Sequence, residues 1–180
     1  MKKKIIKLVI VLTYFSFVLY LIYHSFTTTN ISTEYYINSK NNFYYKKMIS
    51  IPKINLKLYV TKAKNDFSNL SNNLVYYKHF NLDNKIIIFG HSGLGKGTYF
   101  NRLDELEKGD LLELYYENKI YFYDINNVYI VDKKRVDILN DEANSKKILL
   151  VTCDKINKDN RLVVELLQKK VKPLKNKQKM

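Results

Sequence analysis

Residues 51–60 read IPKINLKLYV, and along this stretch Ile54, Leu56, Leu58 and Val60 fall on one side of an extended chain while Asn55, Lys57 and Tyr59 fall on the other. Side chains alternate across a strand with a period of two, so the stretch predicts a β-strand with one buried face. Pro52 suits its start or a sheet edge. Working outward, similar short segments follow at Leu74 to Tyr77, Lys85 to Phe89, Leu111 to Tyr116, Ile120 to Ile125, Asn127 to Val131, Lys147 to Thr152 and Leu162 to Leu167. That makes eight predicted strands. Glu117-Asn118-Lys119 is short enough to join two of them as a hairpin, while KNDFSNLSNNL (64–74) and TYFNRLDELEKG (98–109) suit short helices, the second ending at Gly109. Many short strands with few helices predict an all-β domain, closed as a barrel or stacked as a sandwich. No internal repeat is evident.

The N-terminal part has a different character. Residues Leu8 to Phe26, LVIVLTYFSFVLYLIYHSF, are apolar, free of Asp, Glu, Lys and Arg, and long enough to cross a hydrocarbon core as a helix. Lys2, Lys3, Lys4 and Lys7 precede them and no Lys or Arg follows until Lys40, a bias that keeps the N-terminus inside and sends the rest of the chain outside. A cleaved secretory signal is the competing reading, but its apolar region is usually shorter and no Ala-x-Ala-like site follows. The expected organisation is a cytoplasmic N-terminus (1–7), a membrane anchor (8–26), a polar stalk (27–47), an extracellular folded domain (48–168) and a basic tail (169–180).

With 180 residues, the chain can build one compact domain beside a terminal segment. Its formal net charge of +14 fits an anionic membrane, an anionic envelope polymer, a nucleic acid or a merely lysine-rich composition, and charge alone does not choose among them. One cysteine excludes an internal disulfide and leaves either a small buried apolar group or a reactive thiol.

Cys153 ends the apolar run KILLVTC and meets the polar stretch DKINKDN, which places its thiol at a strand end beside a loop. Taken alone, such a cysteine is more often packing than chemistry. Its neighbours change the balance. His91 follows NKIIIFG and precedes SGLGKG, so it also emerges from a strand end into a loop. Arg161 opens the last predicted strand just after the loop that follows Cys153, and a hairpin would bring its guanidinium back to the thiol. A reaction at a carbonyl needs a nucleophile, a proton donor and acceptor, and a fixed cation for the oxyanion, and these three residue types supply them. His24 and His79 have no such setting.

The segments IPKI, IIIFGH, YFNRLDELEKGDLLEL and LLVTCD followed by RLVV together resemble the sortases, cysteine transpeptidases anchored in the membrane of Gram-positive bacteria. The resemblance runs from about Ile51 to Leu167, and the Thr-Cys pair ending one strand with an arginine opening the next is its most specific part. It implies an eight-stranded sortase-like β-barrel in which His91, Cys153 and Arg161 match the catalytic residues and Thr152 matches a threonine lining the substrate groove. It also implies an LPxTG-like sorting signal on an exported protein, and an amine acceptor on a peptidoglycan precursor or a pilin subunit. Two departures stand out. The loop from Cys153 to Arg161 is short, which leaves the subclass unassigned, and Phe89 occupies a position before the Gly-His pair where the family often has Ala.

The same residues admit other readings. GHSGLGK (90–96) nearly fits a phosphate-binding loop, but Gly97 stands where Ser or Thr would ligate magnesium, and a mostly β chain lacks the strand–helix unit such a loop opens. A hydrolytic extracellular cysteine peptidase would use the same three residues with water as acceptor. A binding module for an anionic envelope polymer would use the basic surface without catalysis. No cofactor, metal or nucleic-acid partner is expected.

Overall fold

The computed structural model describes residues 7, 11–22, 47–93, 97–140 and 142–174. The chain divides into two compact units, residues 1–40 and 41–180. In the first, residues 11–22 are helical. The remainder of the expected anchor Leu8–Phe26 and the stalk residues 27–46 lie outside the described residues. No helix among the described residues is long and apolar enough to cross a membrane.

The second unit is a closed eight-stranded barrel. Its strands are β1 (Lys47–Ile51), β2 (Leu56–Lys62), β3 (Leu74–Tyr76), β4 (Ile86–Phe89), β5 (Leu111–Tyr116), β6 (Lys119–Asp132), β7 (Lys147–Cys153) and β8 (Asn160–Pro173), in the order β1-β2-β3-β4-β7-β8-β6-β5 with β5 closing onto β1. Pairing is antiparallel except for β2 with β3 and β4 with β7, which are parallel. The interior holds Ile49, Leu58, Leu74, Ile88, Phe100, Leu112, Leu114, Tyr123, Ile148, Leu150 and Leu166 in one apolar cluster. A second cluster, on the outer face of β4, β7 and β8, joins Ile87, Leu149, Val151 and Val163 to Phe89, Tyr129, Val131, Ile138 and Leu139. Because β7 is covered on both sides, it reads as the continuous run ILLV rather than as an alternating strand.

The barrel has the eight strands expected, but they are cut differently from the sequence. Residues 51–60 are not one strand: Pro52–Ile54 form a 3-10 turn and Asn55 takes a left-handed conformation (φ 52°) before β2 begins at Leu56. Proline fixes φ and lacks an N–H, so it opens the turn at no loss of a ladder bond. β1 precedes this turn, so Lys47 belongs to the barrel and not to the stalk. The segments 120–125 and 127–131 are one strand, β6, irregular at Phe122/Tyr123 and at Ile125/Asn127 where its register against β8 shifts. A bulge resets the alternation, which is why the sequence reads as two strands. The two expected helices are 3-10 turns, Ser68–Asn72 and Leu103–Glu105. β8 continues to Pro173, five residues into the segment expected to be a tail, because β6 is long enough to pair with it as far as Lys119. The expected hairpin is present but tighter by one residue: Lys119 already belongs to β6, and Glu117 and Asn118, both at positive φ (48° and 57°), have the geometry of a two-residue turn that matches strand twist.

Candidate active site

The parallel pairing of β4 with β7 brings the ends of both strands to one end of the barrel. Phe89 is the register partner of Val151, and the Gly90 N–H continues the ladder to the Val151 carbonyl at 3.2 Å. His91 lies two residues beyond Phe89, and Cys153 two residues beyond Val151. Residues 62 positions apart in the chain therefore follow the paired ends of neighbouring strands. Gly90 is required at this approach: a Cβ there would lie 2.6 Å from the Leu74 and Phe100 side chains. Phe100 in turn donates its N–H to the His91 carbonyl at 2.9 Å and is buried in the core, so the chain on both sides of the histidine is held.

Cys153 and Arg161 are direct partners across β7 and β8. The Asp154 N–H donates to the Asn160 carbonyl at 3.1 Å, a bond that flanks a non-hydrogen-bonded pair, the type in which Cα atoms approach to about 4.5 Å and side chains lie closest. Alternation sets Cys153 on the face of Val151 and Arg161 on the face of Val163, so both continue the outer face just beyond the edge of the second apolar cluster. Both are half-buried, while His91 is exposed. Arg161 Nη1 donates to the carbonyls of Lys158 (3.0 Å) and Asn160 (2.9 Å), which fixes the guanidinium plane. Arg161 makes no ion pair among the described residues, although its charge, after that of Lys133, helps to hold the Asp159 carboxyl below its ordinary value.

Thr152 pairs with Leu162 and points the opposite way from Cys153, on the side of Leu150 and Ile148. It is 3% exposed, and its hydroxyl has no hydrogen-bond partner among the described residues.

The sequence reading missed Ser92. Its hydroxyl donates to the Cys153 carbonyl at 2.6 Å, tying the residue after the histidine directly to the backbone of the cysteine. A hydroxyl beside a motif histidine was the available signal, but without the β4–β7 register it has no target.

The surrounding loops are braced. Asp154 accepts N–H bonds from Ile156 (3.3 Å) and Asn157 (3.2 Å), closing the β7–β8 loop on itself. Lys155 reaches Asp104 at 2.8 Å and so joins that loop to the segment after His91. Arg102 binds Glu105 through two hydrogen bonds, 2.7 and 2.6 Å, and donates to the Ile54 carbonyl at 3.2 Å. Phe89, where the family often has Ala, packs edge-on against Phe67 and Tyr77, with ring centroids 5.7 and 6.2 Å apart. It belongs to the outer cluster and leaves the three site residues in place. Residues 94–96 of the glycine-rich stretch lie outside the described residues, and no α-helix is found between β4 and β5 among those described, which removes the context a phosphate-binding loop needs.

Comparison with known proteins agrees with this geometry. Sortase D of Bacillus subtilis (strain 168) is 31% identical over 109 residues, 59% of this chain and 52% of that protein, so the chain spans about half the length of this curated relative. The solved structure of Listeria monocytogenes sortase A superposes with a TM-score of 0.65 at 22% identity, over 72% of this chain and 90% of that one, a likeness of fold. Sortase C1 of Streptococcus agalactiae superposes with a TM-score of 0.61 at 26% identity, over 68% of this chain and 66% of that one. Residues 49–167 match the family model of the sortase domain, and the barrel closed around that span is the domain's fold; the chain belongs to the sortase family.

Proposed function

We propose that the chain is a membrane-anchored cysteine transpeptidase that cuts a sorting-signal peptide of an exported protein and joins the acyl part to an amine. The observation that carries this is the cross-strand pair of Cys153 with Arg161, with His91 two residues past the end of the neighbouring β4 and Ser92 bonded to the Cys153 carbonyl. As thiolate, Cys153 attacks the scissile carbonyl and forms the C–S bond. The Nε and Nη2 donors of Arg161, which have no acceptor among the described residues, bind the developing oxyanion. When the tetrahedral adduct collapses, the C–N bond breaks, His91 as imidazolium gives its proton to the leaving amine, and a thioester remains. The incoming amine attacks that thioester, His91 takes a proton from it, and Cys153 leaves as thiolate.

The family supports an LPxTG-like signal as substrate, and a peptidoglycan precursor or a pilin subunit as the source of the amine. The run Leu8–Phe26 and the four lysines before it support a single span with the N-terminus inside and the catalytic domain outside. The test is intact mass of the protein after incubation with an LPxTG-type peptide. Wild type gains the mass of the acyl fragment and Cys153→Ala does not, and an added amine releases a new peptide conjugate. Release by water alone would make the protein a peptidase. No adduct and no thiol-dependent cleavage across a panel of sorting peptides would leave a binding module for an anionic polymer. His91→Ala should lower cleavage by about 10²–10⁴-fold, and cleavage at the wild-type rate would sink the acid–base role.

A further inference from the structure

The strand directions put two sets of connections at opposite ends of the barrel. β4 and β7 end, and β8 begins, at the end that carries His91, Cys153 and Arg161. β1 begins, β8 ends and the Glu117–Asn118 turn lies at the other end. Along the sequence, the segments at the catalytic end (52–55, 90–110, 132–137 and 154–161) contain ten Lys or Arg and eight Asp or Glu. Those at the far end (47, 62, 77–85, 116–119, 142–147 and 168–174) contain ten Lys against Asp83, Glu117 and Glu142. A lysine-rich composition would raise both ends alike, so the asymmetry belongs to the fold.

Several of these lysines are available for a partner. Lys62, Lys78, Lys119, Lys170 and Lys172 are exposed and make no ion pair among the described residues. Apolar groups are set between them: the ammonium groups of Lys170 and Lys172 lie 4.9 and 5.6 Å from the Phe122 ring, and Val171 is 41% exposed. Lysines interleaved with aromatic and aliphatic side chains suit the headgroup layer of a bilayer, where charge meets phosphate and rings sit at the boundary. The same end receives the chain from the N-terminal segment. Its first strand is pinned there by Lys47, whose ammonium sits over the rings of Tyr76, Phe80 and Tyr116 at 5.4, 4.9 and 5.0 Å.

We propose that this far end is a docking surface for anionic lipid headgroups, which turns Cys153 away from the bilayer. The proposal rests on the membrane-anchor reading of Leu8–Phe26. The twenty residues 27–46 reach at most about 70 Å, so an anchored barrel stays close to the surface and a weak charge attraction is enough to orient it. A soluble anionic polymer would meet the same charges, but tethering favours the lipid.

The full chain, with Cys153→Ala removing the sole thiol, would carry a donor dye at His79→Cys on the basic end or at Ile156→Cys on the catalytic end. Energy transfer to acceptor-labelled lipid is then measured in nanodiscs of neutral phosphatidylcholine, with and without about 30% phosphatidylglycerol. Transfer from position 79 should rise with anionic lipid and return to the neutral level in 1 M salt, while transfer from position 156 stays low. Lys119→Glu, Lys170→Glu and Lys172→Glu together should lower the docked-to-undocked ratio by on the order of 100-fold, and retained cleavage by the same triple variant with Cys153 present shows that it is folded. Equal transfer in both lipids would overturn docking while the anchor stands. Binding of polyphosphate in detergent, lost in the triple variant and accompanied by no lipid dependence, would reassign the surface to a polymer and overturn the lipid proposal. A chain stripped from proteoliposomes by alkaline carbonate would overturn the anchor and the tethered docking together.

Discussion

β4 and β7 lie side by side, and their two ends handle charge in opposite ways. At the N-terminal ends, the Lys85 side chain is 3% exposed and donates to Glu142 at 3.1 Å; the same carboxylate takes Lys147 at 2.6 Å, and Lys147 also lies 3.7 Å from Glu165. At the C-terminal ends, Cys153, His91 and Arg161 have no carboxylate paired to them among the described residues. The contrast shows where each kind of end spends its polar groups. Pairing a buried ammonium removes the large penalty of an isolated charge, whereas under the proposed mechanism Arg161 has to be left without an anion until substrate arrives.

Substitutions at the two ends should therefore separate activity from stability. The largest expected effect is Cys153→Ala, which should reduce transpeptidation by about 10⁴-fold or more with the thermal midpoint nearly unchanged, read by peptide turnover and by a melting curve. Arg161→Ala should lower kcat by about 10²–10³-fold, and Arg161→Lys should recover little of it because an ammonium lacks the planar fork. Full activity in Arg161→Lys would mean that only a positive charge, and no directed donor, is needed.

Ser92→Ala sharpens the contrast, since it removes one hydrogen bond from the backbone of Cys153, the proposed nucleophile, without touching the proposed reacting atoms. It should lower kcat about tenfold with little change in KM, while Ser92→Thr, which keeps the hydroxyl, should restore most of the rate. A Ser92→Ala enzyme whose KM alone changed would argue that Ser92 contacts substrate instead.

At the other end, Glu142→Gln should leave kcat intact and cost about 1–2 kcal/mol of stability. This is less than the 3–5 typical of a broken buried pair, because Glu142 itself is half exposed. Hydrogen bonds from Lys147 and then Lys85 hold the Glu142 carboxyl below its ordinary value of 4.5. A carboxyl lowered on folding stabilises the protein above the unfolded value and loses that contribution as the pH falls through the folded one, so the wild type should give up this increment below about pH 4.5 and Glu142→Gln should lack that part of the acid transition. Identical acid transitions in urea titrations of the two proteins would remove the network from the account of stability.

Much of the catalytic end was legible because its two most specific residues are neighbours in a hairpin. Cys153 and Arg161 are eight positions apart, and a strand end, a polar loop and a strand start were enough to set one against the other. His91 could be placed only through the motif it shares with sortases, since no local pattern says which strand β4 will join. Ser92 and Thr152 illustrate the remainder. The alternation puts Thr152 opposite Cys153, but β7 is buried on both faces, so nothing in KILLVTC says which face is the barrel interior. β1 was missed for a related reason: KMISI is short, mixes polar with apolar residues, and becomes a strand by pairing with β2 and β5 on its two sides.

The sequence by itself determined the residue chemistry, the period-two alternation of most strands, the tight turn at Glu117–Asn118 and the family. These are written in neighbouring residues or in motif order, and any extended chain carrying them has them. Only the tertiary structure decided which strands adjoin, because the parallel pairing of β4 with β7 is selected by burying Ile86, Ile88, Ile148 and Leu150 together in one closed core, a gain available only after the chain between them has folded. That non-local choice brings His91 and Ser92 to Cys153 and gathers the lysines of separate strands at the opposite end of the barrel.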